Sequence, residues 1–540
     1  MRFGNCIYCI FKELTHRNMK KRPGIFNDVI GPVMRGPSSS HTAAAWRAAR
    51  MALDILNEPL KSAVIDFDKD GAWAPNYREQ GTTLGIEGGL LNIDLADDRM
   101  KEIEAVALEQ GISIRYEVNS FKTAHPNTFR LQLEGMYQKQ LQIVAVSLGG
   151  GSVEIITVNG VAVKMAGDCH ELLLYVKDNQ DLPETFYDLL ENANRIEEVA
   201  GDCRLINAKF SNAPPPELVI ALEEMNRFDQ IVSVAPVTPI VSGNERELPF
   251  TSVSEMLRYA AEHAMRLGDI GLLYEEYQSG LKPSQVVAKM DELVQIIEGS
   301  IDRGLQGTQY EDRLLPQQSH LIAKAVKEKQ ILEASIVNEI IENVSAIMEA
   351  KSAMEVVVAN PTAGSCGVVG GVLRAVSKAL GATRAELLQA YFAAGVIGVY
   401  FAEGPGFSAE EHGCQVECGA SAGMAAAGIV QLFGGTAKQG VDAASMAIQN
   451  MIGLICDPIA DRVEAPCLGK NVSAAVNALS SATMSRAGFN ALIPLDEVIE
   501  TVSRVSLQMP SCNKCTGKGG LAITKTACAL KAKMTSKVMG

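Results

Sequence analysis

The chain has 540 residues, of which 47% are hydrophobic and 21% are charged. This length exceeds what one hydrophobic core normally serves, so we expect more than one domain. The formal net charge is −14, from 49 basic and 63 acidic residues, which argues against nucleic acid or an anionic membrane as a partner. Small molecules are the expected ligands.

Residues 1–24 are predicted to form a short N-terminal arm. Their apolar run precedes their basic cluster, the reverse of the order in a secretory signal, so export is not expected. The apolar run that ends at Ala402 is interrupted by glycines and is typical of a buried core helix. We therefore expect a cytoplasmic protein in which the 12 cysteines stay reduced, and we interpret Cys6 and Cys9 as an incidental pair.

Residues 25–165 combine helical and strand patterns. The segment "HTAAAWRAARMALDIL" predicts an amphipathic helix, whereas "FRLQLEG" and "LQIVAVSLGGGSVEIITVNG" predict strands, so this region is expected to be an α+β domain. Residues 166–215 show strand, helix and strand patterns, which predict a small βαβ module. Because the Pro-rich "SNAPPPEL" follows, residues 216–247 are predicted to be a linker.

Strand patterns fade in residues 248–540, and helical spacing replaces them. Segments such as "VVGGVLRAVSKALGA" and "AASMAIQNMIG" are rich in Gly and Ala, which lets helices approach closely. We expect an all-α domain here, so the whole chain is predicted to be a multidomain protein with an α+β N-terminal part and a helical C-terminal part.

Four cysteines of the helical region lie at predicted loops or helix ends beside Gly or Pro: Cys366, Cys414, Cys456 and Cys467. An iron–sulfur cluster needs thiolates from several segments, and a cluster that acts as a Lewis acid needs one iron without a protein thiolate. Three cysteines and an open position would supply both. Buried structural thiols and a structural zinc site remain alternatives at this point.

The segment "GPSSSHTAAAWRAAR" at 36–50 has the signature of a helix N-terminus. Free amide groups and hydroxyls at such a terminus can hold a carboxylate. His41 lies near the positive end of this helix, which favours the neutral imidazole that a general base needs. The alternative is a capping serine beside a surface histidine.

Several of these segments match one family in order along the chain. "EHGCQVE" and "CDPIADRVEAPCLGKN" follow the patterns E-x-G-C-Q-x-E, C-D-P and V-x-x-P-C-x-x-x-N, and "GPSSSHT", "HPNTFRL", "LGGGSVEI", "NPTAGSCG" and "TGKGGLAIT" also match. The chain thereby resembles the iron–sulfur-dependent L-serine dehydratases (L-serine ammonia-lyases). The resemblance covers nearly the whole chain, as a fusion of the β-like and α-like regions that some members carry on separate chains.

The resemblance implies a ligand set and an active site. The ligands of a [4Fe-4S] cluster would be Cys414, Cys456 and Cys467, and the general base would be His41. The substrate-binding residues would be Ser38, Ser39, Ser40, Thr42, His125, Asn127, Thr362 and Gly364. The implied reaction is β-elimination of water from L-serine to give pyruvate and ammonia, without pyridoxal phosphate, in a homo-oligomer that we expect to be a dimer. A non-catalytic iron–sulfur sensor is the alternative of another class.

The chain departs from the family in three places. "REQGTT" at 78–83 stands where many members have a "GHGTD"-like segment, and residues 166–215 resemble a shortened ACT-type regulatory module. Some members end at a cysteine that is thought to move onto the cluster. Here the chain continues beyond Cys528, and Cys512 and Cys515 compete with it for that role.

Arg35 suggests an alternative substrate. Many serine dehydratases carry a small apolar residue at this position before Gly-Pro, whereas an arginine can bind a second carboxylate. A β-hydroxy dicarboxylate such as 2-(hydroxymethyl)glutarate is therefore the second candidate substrate, and a solvated surface charge is the other interpretation of Arg35.

Overall fold

The structure is a computed structural model that describes residues 11–15, 22–121, 123–199, 204–310 and 313–538. The predicted pair Cys6 and Cys9 lies outside these residues. Within them, a sheet-rich N-terminal part is followed by a helical C-terminal part, which confirms the predicted division into an α+β part and an α part.

The elements are numbered in chain order. The strands are β1 (Phe11–Thr15), β2 (Val33–Met34), β3 (Leu60–Asp68), β4 (Ser113–Asn119), β5 (Thr128–Gly135), β6 (Gln140–Gly149), β7 (Ser152–Val158), β8 (Val161–Met165), β9 (His170–Val176), β10 (Arg195–Val199), β11 (Arg204–Phe210), β12 (Phe228–Val234) and β13 (Val357–Val358). The helices are α1 (Ala44–Leu56), α2 (Thr82–Leu90), α3 (Ile103–Glu109), α4 (Glu184–Leu189), α5 (Pro216–Glu224), α6 (Val253–Glu262), α7 (Leu267–Ser279), α8 (Pro283–Gln306), α9 (Ser319–Lys327), α10 (Ser335–Ser352), α11 (Gly367–Leu380), α12 (Arg384–Glu403), α13 (Ala409–His412), α14 (Cys418–Leu432), α15 (Ala437–Gln449), α16 (Cys467–Arg486), α17 (Leu495–Gln508) and α18 (Lys525–Val538).

The N-terminal domain is built on a six-stranded sheet with the order β4-β3-β5-β6-β7-β8. The pair β3–β4 is parallel and the other pairs are antiparallel. In β5 the alternating residues Phe129, Leu131 and Leu133 are buried in one core with side chains of α1, because alternate residues of a strand point to the same face. The alternation in "FRLQLEG" thus produces the predicted strand.

A second, five-stranded sheet has the order β1-β10-β11-β9-β12. The succession β9-α4-β10-β11-α5-β12 is a ferredoxin-like arrangement, with a core that includes Leu174, Phe186 and Leu222. The prediction of a linker at 216–247 is corrected here, because α5 and β12 complete this sheet. The prolines that suggested a linker instead begin α5, where Pro216 occupies a first-turn position that needs no amide hydrogen.

The helical part centres on α12 and α14, which are buried over almost their whole length. Glycines allow the close packing: a Cβ built on Gly271 would lie 2.2 Å from the Phe392 carbonyl oxygen, and one on Gly428 would lie 3.0 Å from the Ala390 carbonyl oxygen. Among the described residues, α12 is the one helix long and apolar enough to cross a membrane, but 78% of its apolar window is buried within the protein. It is a core helix, as its glycines predicted.

The two parts of the chain meet along several contacts. β2 pairs antiparallel with β13, which places Met34 opposite Val357. Ile25 packs against Gly395 of α12, and Gly149, the last residue of β6, forms a bridge with Phe407. The Gly-rich turn allows this approach, because a Cβ on Gly149 would lie 2.5 Å from the Ser408 amide nitrogen. The candidate site lies at this junction.

Candidate active site at the domain junction

His41 lies in a π-helical turn, Ser39–Ala43, that leads into α1. Its side chain is completely buried, with the ring stacked on Trp73 at a centroid distance of 4.9 Å. Its Nδ1 is 3.1 Å from Ser38 Oγ and 3.6 Å from Glu410 Oε1. Burial lowers the pKa of His41 to about 4, although the Glu410 carboxylate opposes the shift. The imidazole is therefore neutral near pH 7, and desolvation is the main cause rather than the predicted helix end.

The residues with hydroxyl groups around His41 form hydrogen bonds to other segments of the site. The Ala363 amide donates to Ser39 Oγ at 3.1 Å, and the carbonyl oxygen of Ser40 accepts a hydrogen bond from a serine hydroxyl of β6 at 2.8 Å. Thr42 Oγ1 donates to the Gln80 carbonyl oxygen at 3.4 Å. The turn is therefore anchored to both halves of the protein, and the predicted residues Ser38, Ser39, Ser40 and Thr42 are buried beside His41.

Asn127 and His125 connect the N-terminal domain to α13. Asn127 Nδ2 is 3.3 Å from Ser408 Oγ and 3.4 Å from Glu410 Oε2, and its Oδ1 has no hydrogen-bond partner among the described residues. His125 Nε2 is 3.0 Å from Glu411 Oε2, and this hydrogen bond lowers the pKa of Glu411. The two carboxylates precede Cys414 directly in "EEHGC", yet sequence reasoning assigned neither of them a role.

The three predicted ligand cysteines come from three separate segments. Cys414 follows α13, Cys456 lies in the loop after α15, and Cys467 is the first residue of α16; all three are buried. The ligand atoms of Cys414, Cys456 and Glu417 lie within 4.8 Å of one another and form one group. Hydrogen bonds with Cys414 and Cys515, and then burial, raise the pKa of Cys456, and burial with the neighbouring Cys414 raises that of Cys467. Deprotonated thiols would need a compensating cation at this site.

A fourth thiol lies in the same group. Cys515 is buried against Cys414 and Cys456, whereas Cys512 is half-buried and Cys528 is exposed. Gln80, from the "REQGTT" segment of the N-terminal domain, places its Nε2 3.6 Å from Cys515 Sγ. Of the three cysteines considered as competitors, Cys515 is the one that lies among the predicted ligands.

Carboxyl and ammonium groups surround the thiols. Thr362 Oγ1 donates to Glu417 Oε1 at 2.7 Å, and burial raises the pKa of Glu417 to about 7. A Cβ on Gly364 would lie 3.0 Å from Glu417 Oε1, so both predicted residues of "NPTAGSCG" lie against this carboxyl group. Lys470 Nζ is 2.5 Å from Asp457 Oδ1 and 4.0 Å from Cys414 Sγ. Glu417 and Lys470 were not predicted, although each lies inside a quoted motif.

Cys366 and Cys418 are both buried close to these groups. Burial raises the pKa of Cys366 to about 12. Cys418, the first residue of α14, accepts a hydrogen bond from Asn471 Nδ2 at 3.8 Å. Burial, with Cys414 and Glu417 nearby, also raises the pKa of Cys418.

Arg35 does not face the site. Its Nε donates to the Ala96 carbonyl oxygen at 2.9 Å, its Nη1 to the Met354 carbonyl oxygen at 2.9 Å, and its Nη2 to Asp98 Oδ1 at 2.7 Å. Because the guanidinium is already occupied, it cannot hold a second substrate carboxylate. The interpretation of Arg35 as a specificity residue is corrected: it joins the two parts of the chain through Met354.

Known proteins match both parts of the chain. Residues 216–522, more than half of the chain, match the family model for the serine dehydratase alpha chain. A probable L-serine dehydratase alpha chain of Bacillus subtilis is 33% identical over 291 residues, which are 54% of this chain and 97% of that protein. A probable beta chain of the same organism is 36% identical over 153 residues, 28% of this chain and 68% of that protein.

A relative of similar length covers both parts of the chain. The L-serine dehydratase of Streptomyces coelicolor is 28% identical over 514 residues, which are 91% of this chain and 97% of that protein. The chain is thus similar to an alpha chain, to a beta chain and to a single-chain relative. It belongs to the serine dehydratase family, and it is an enzyme of the lyase class.

Proposed function

We propose that this enzyme converts L-serine to pyruvate and ammonia with a [4Fe-4S] cluster held by Cys414, Cys456 and Cys467. One observation carries the proposal: a buried, neutral His41 lies 3.6 Å from Glu410, four residues before Cys414, at the junction of the two parts of the chain. This contact brings the proposed base of one domain close to the segment that carries Cys414 in the other, which supports a shared site. The names of the three relatives support L-serine as the substrate.

The donor set fits an iron–sulfur cluster. Three buried thiols from separate segments are soft ligands, and the ammonium groups of Lys470 and Lys351 partly oppose the rise that burial causes in the pKa of Cys467. The Lys351 side chain is completely buried and donates to the Val463 carbonyl oxygen. Cys515 would supply a fourth thiolate when no substrate is bound. The bound cluster would supply Lewis acidity toward the hydroxyl group that leaves.

His41 would remove the Cα proton of the substrate. Ser38 Oγ, 3.1 Å from Nδ1, would accept the hydrogen on that nitrogen, with the Glu410 carboxylate 3.6 Å away, so that the lone pair of Nε2 is left for the proton; Trp73 stacks on the ring. The hydroxyls of Ser38 and Ser40 and the amides of the turn would hold the substrate carboxylate. Loss of water gives 2-aminoacrylate, whose imine form takes up water and releases pyruvate and ammonia, so the atoms balance.

The ferredoxin-like sheet of β9–β12 supports an ACT-type regulatory module, now extended to include α5 and β12. The dicarboxylate substrate is not proposed further, because Arg35 is occupied.

The test of the function is product formation by anaerobically purified enzyme, measured as pyruvate from L-serine and as the unsaturated dicarboxylate that loss of water would leave from 2-(hydroxymethyl)glutarate. L-Serine and 2-(hydroxymethyl)glutarate are supplied separately, and iron and acid-labile sulfide are measured on the same sample. We expect turnover of L-serine alone and loss of activity in air that iron with a reductant restores. An enzyme with a full complement of iron and sulfide that releases no pyruvate from L-serine would refute the proposal.

A further inference from the structure

Strand β4 forms an open edge of the N-terminal sheet. Its one partner among the described strands is β3, so its outer edge carries unpaired backbone groups. An open cleft of about 700 Å³ lies beside this edge, lined by all residues from 111 to 117 and by side chains of α3. An edge of this kind accepts another strand unless its side chains prevent pairing.

The charges of β4 are self-complementary. Its sequence "SIRYEVN" carries Arg115 and Glu117 on the same face, two residues apart. In an antiparallel pair with a second copy, with Tyr116 opposite Tyr116 of the second copy, Arg115 lies opposite Glu117 of the second copy. Ile114 then lies opposite Val118 of the second copy. Pairs centred on Arg115 or Glu117 would instead place like charges directly opposite each other, which is destabilising.

The side chains at this edge are free to make such contacts. Arg115 forms no hydrogen bond or ion pair within the described part of the chain, and Glu117 there accepts only from Asn119 Nδ2, at 3.2 Å. Val118 is 47% exposed, and Leu108, which lines the cleft from α3, is 74% exposed. Apolar side chains are therefore available at this edge for contact with a second strand.

From these features we infer that β4 is the homodimer interface: it pairs antiparallel with β4 of a second copy, centred on Tyr116, and joins two sheets into one. The second copy is the occupant because this strand matches its own sequence in charge and in apolar residues. Tyr116 also donates to Glu87 Oε1 at 2.8 Å, so the proposed interface is connected to α2, the helix that follows Gln80.

A charge exchange tests this pairing, with molar mass measured by light scattering after size exclusion. The wild-type chain should be a dimer. In Arg115→Glu or Glu117→Arg, like charges face each other in both symmetric pairs, so the dissociation constant should rise about tenfold or more. The double variant should return to the wild-type value. Arg504→Glu, an exposed charge on α17, is the matched control and should leave the dimer intact.

Hydrogen exchange provides a second measurement that needs no variant. The amides of residues 113–119 should exchange more slowly in the dimer than after dilution to monomer. A monomeric wild type, single variants that dimerise as wild type does, a double variant as weak as the single ones, or unprotected amides at 113–119 in the dimer would each overturn the inference. None of these results depends on the proposed reaction.

Discussion

The two halves of the candidate site, one around His41 and one around Cys414, differ in the charges of their groups. Around His41, burial keeps the imidazole neutral, and neutral hydroxyl, amide and indole groups surround it, with the Glu410 carboxylate supplied by the other half. Around Cys414, the groups are thiols with raised pKa values, a carboxyl group of raised pKa and lysine ammonium groups. We propose that the first half acts through its own residues, whereas the thiols of the second half lose their protons when they bind the cluster.

Because the two halves differ in this way, we expect the loss of a thiol to remove the cluster and to leave the groups around His41 in place. Cys414→Ala should abolish both the brown absorbance of the cluster and pyruvate formation, because a cluster that lacks one of three thiolates is not retained. Absorbance, iron content and activity of the anaerobic protein are the measurements. Cys528→Ala, an exposed thiol, is the control and should change none of them. Retention of a full cluster in Cys414→Ala would remove this residue from the ligand set.

A change at His41, in the first half, should lower the activity and leave the cluster bound. His41→Asn removes the base but leaves every thiol in place, so turnover should fall by about 10²–10⁴-fold with unchanged iron content. The measurements are kcat, KM and cluster absorbance. A variant with normal kcat and a raised KM would instead assign His41 to binding.

The neutral His41 also predicts a pH dependence of stability. Its folded pKa, about 4, lies below the ordinary value of 6.5, so the unfolded chain binds a proton first as the pH falls. Stability is therefore full above pH 6.5 and decreases from 6.5 down to about 4, by about 3 kcal/mol for this fully buried group. Thermal unfolding between pH 4 and 7 should show a smaller decrease in His41→Asn. An equal decrease in both proteins would contradict the assigned pKa.

The smallest expected effect is at Arg35, which lies in neither half of the site. Arg35→Val should leave kcat/KM for L-serine within about twofold, yet lower the free energy of unfolding by about 1–3 kcal/mol, because buried hydrogen bonds are lost. Denaturant unfolding is the measurement, with the more exposed Arg99→Val as a control expected to change stability by under about 0.5 kcal/mol. A large loss of serine turnover with unchanged stability would indicate that Arg35 acts in the site after all.

Motifs and strand patterns that lie within a single segment could be predicted from the sequence. The three cysteines and His41 each stand in a short motif, and alternation predicted strands such as β5. The sequence did not predict contacts between distant segments: Glu410 with His41, Gln80 with Cys515, and Arg35 with Met354. No local pattern encodes such pairs, since they arise only when the two domains pack together. The prolines before α5 were misinterpreted because a proline favours both a linker and a helix start.

The most direct test of the central claim is the Mössbauer spectrum of the ⁵⁷Fe-loaded His41→Asn variant, with and without L-serine. This variant should bind the substrate without consuming it. If the substrate meets a four-iron cluster at the domain junction, about one quarter of the iron signal should change its isomer shift when L-serine is added. A spectrum that L-serine leaves unchanged, or a protein that retains no iron, would contradict the account.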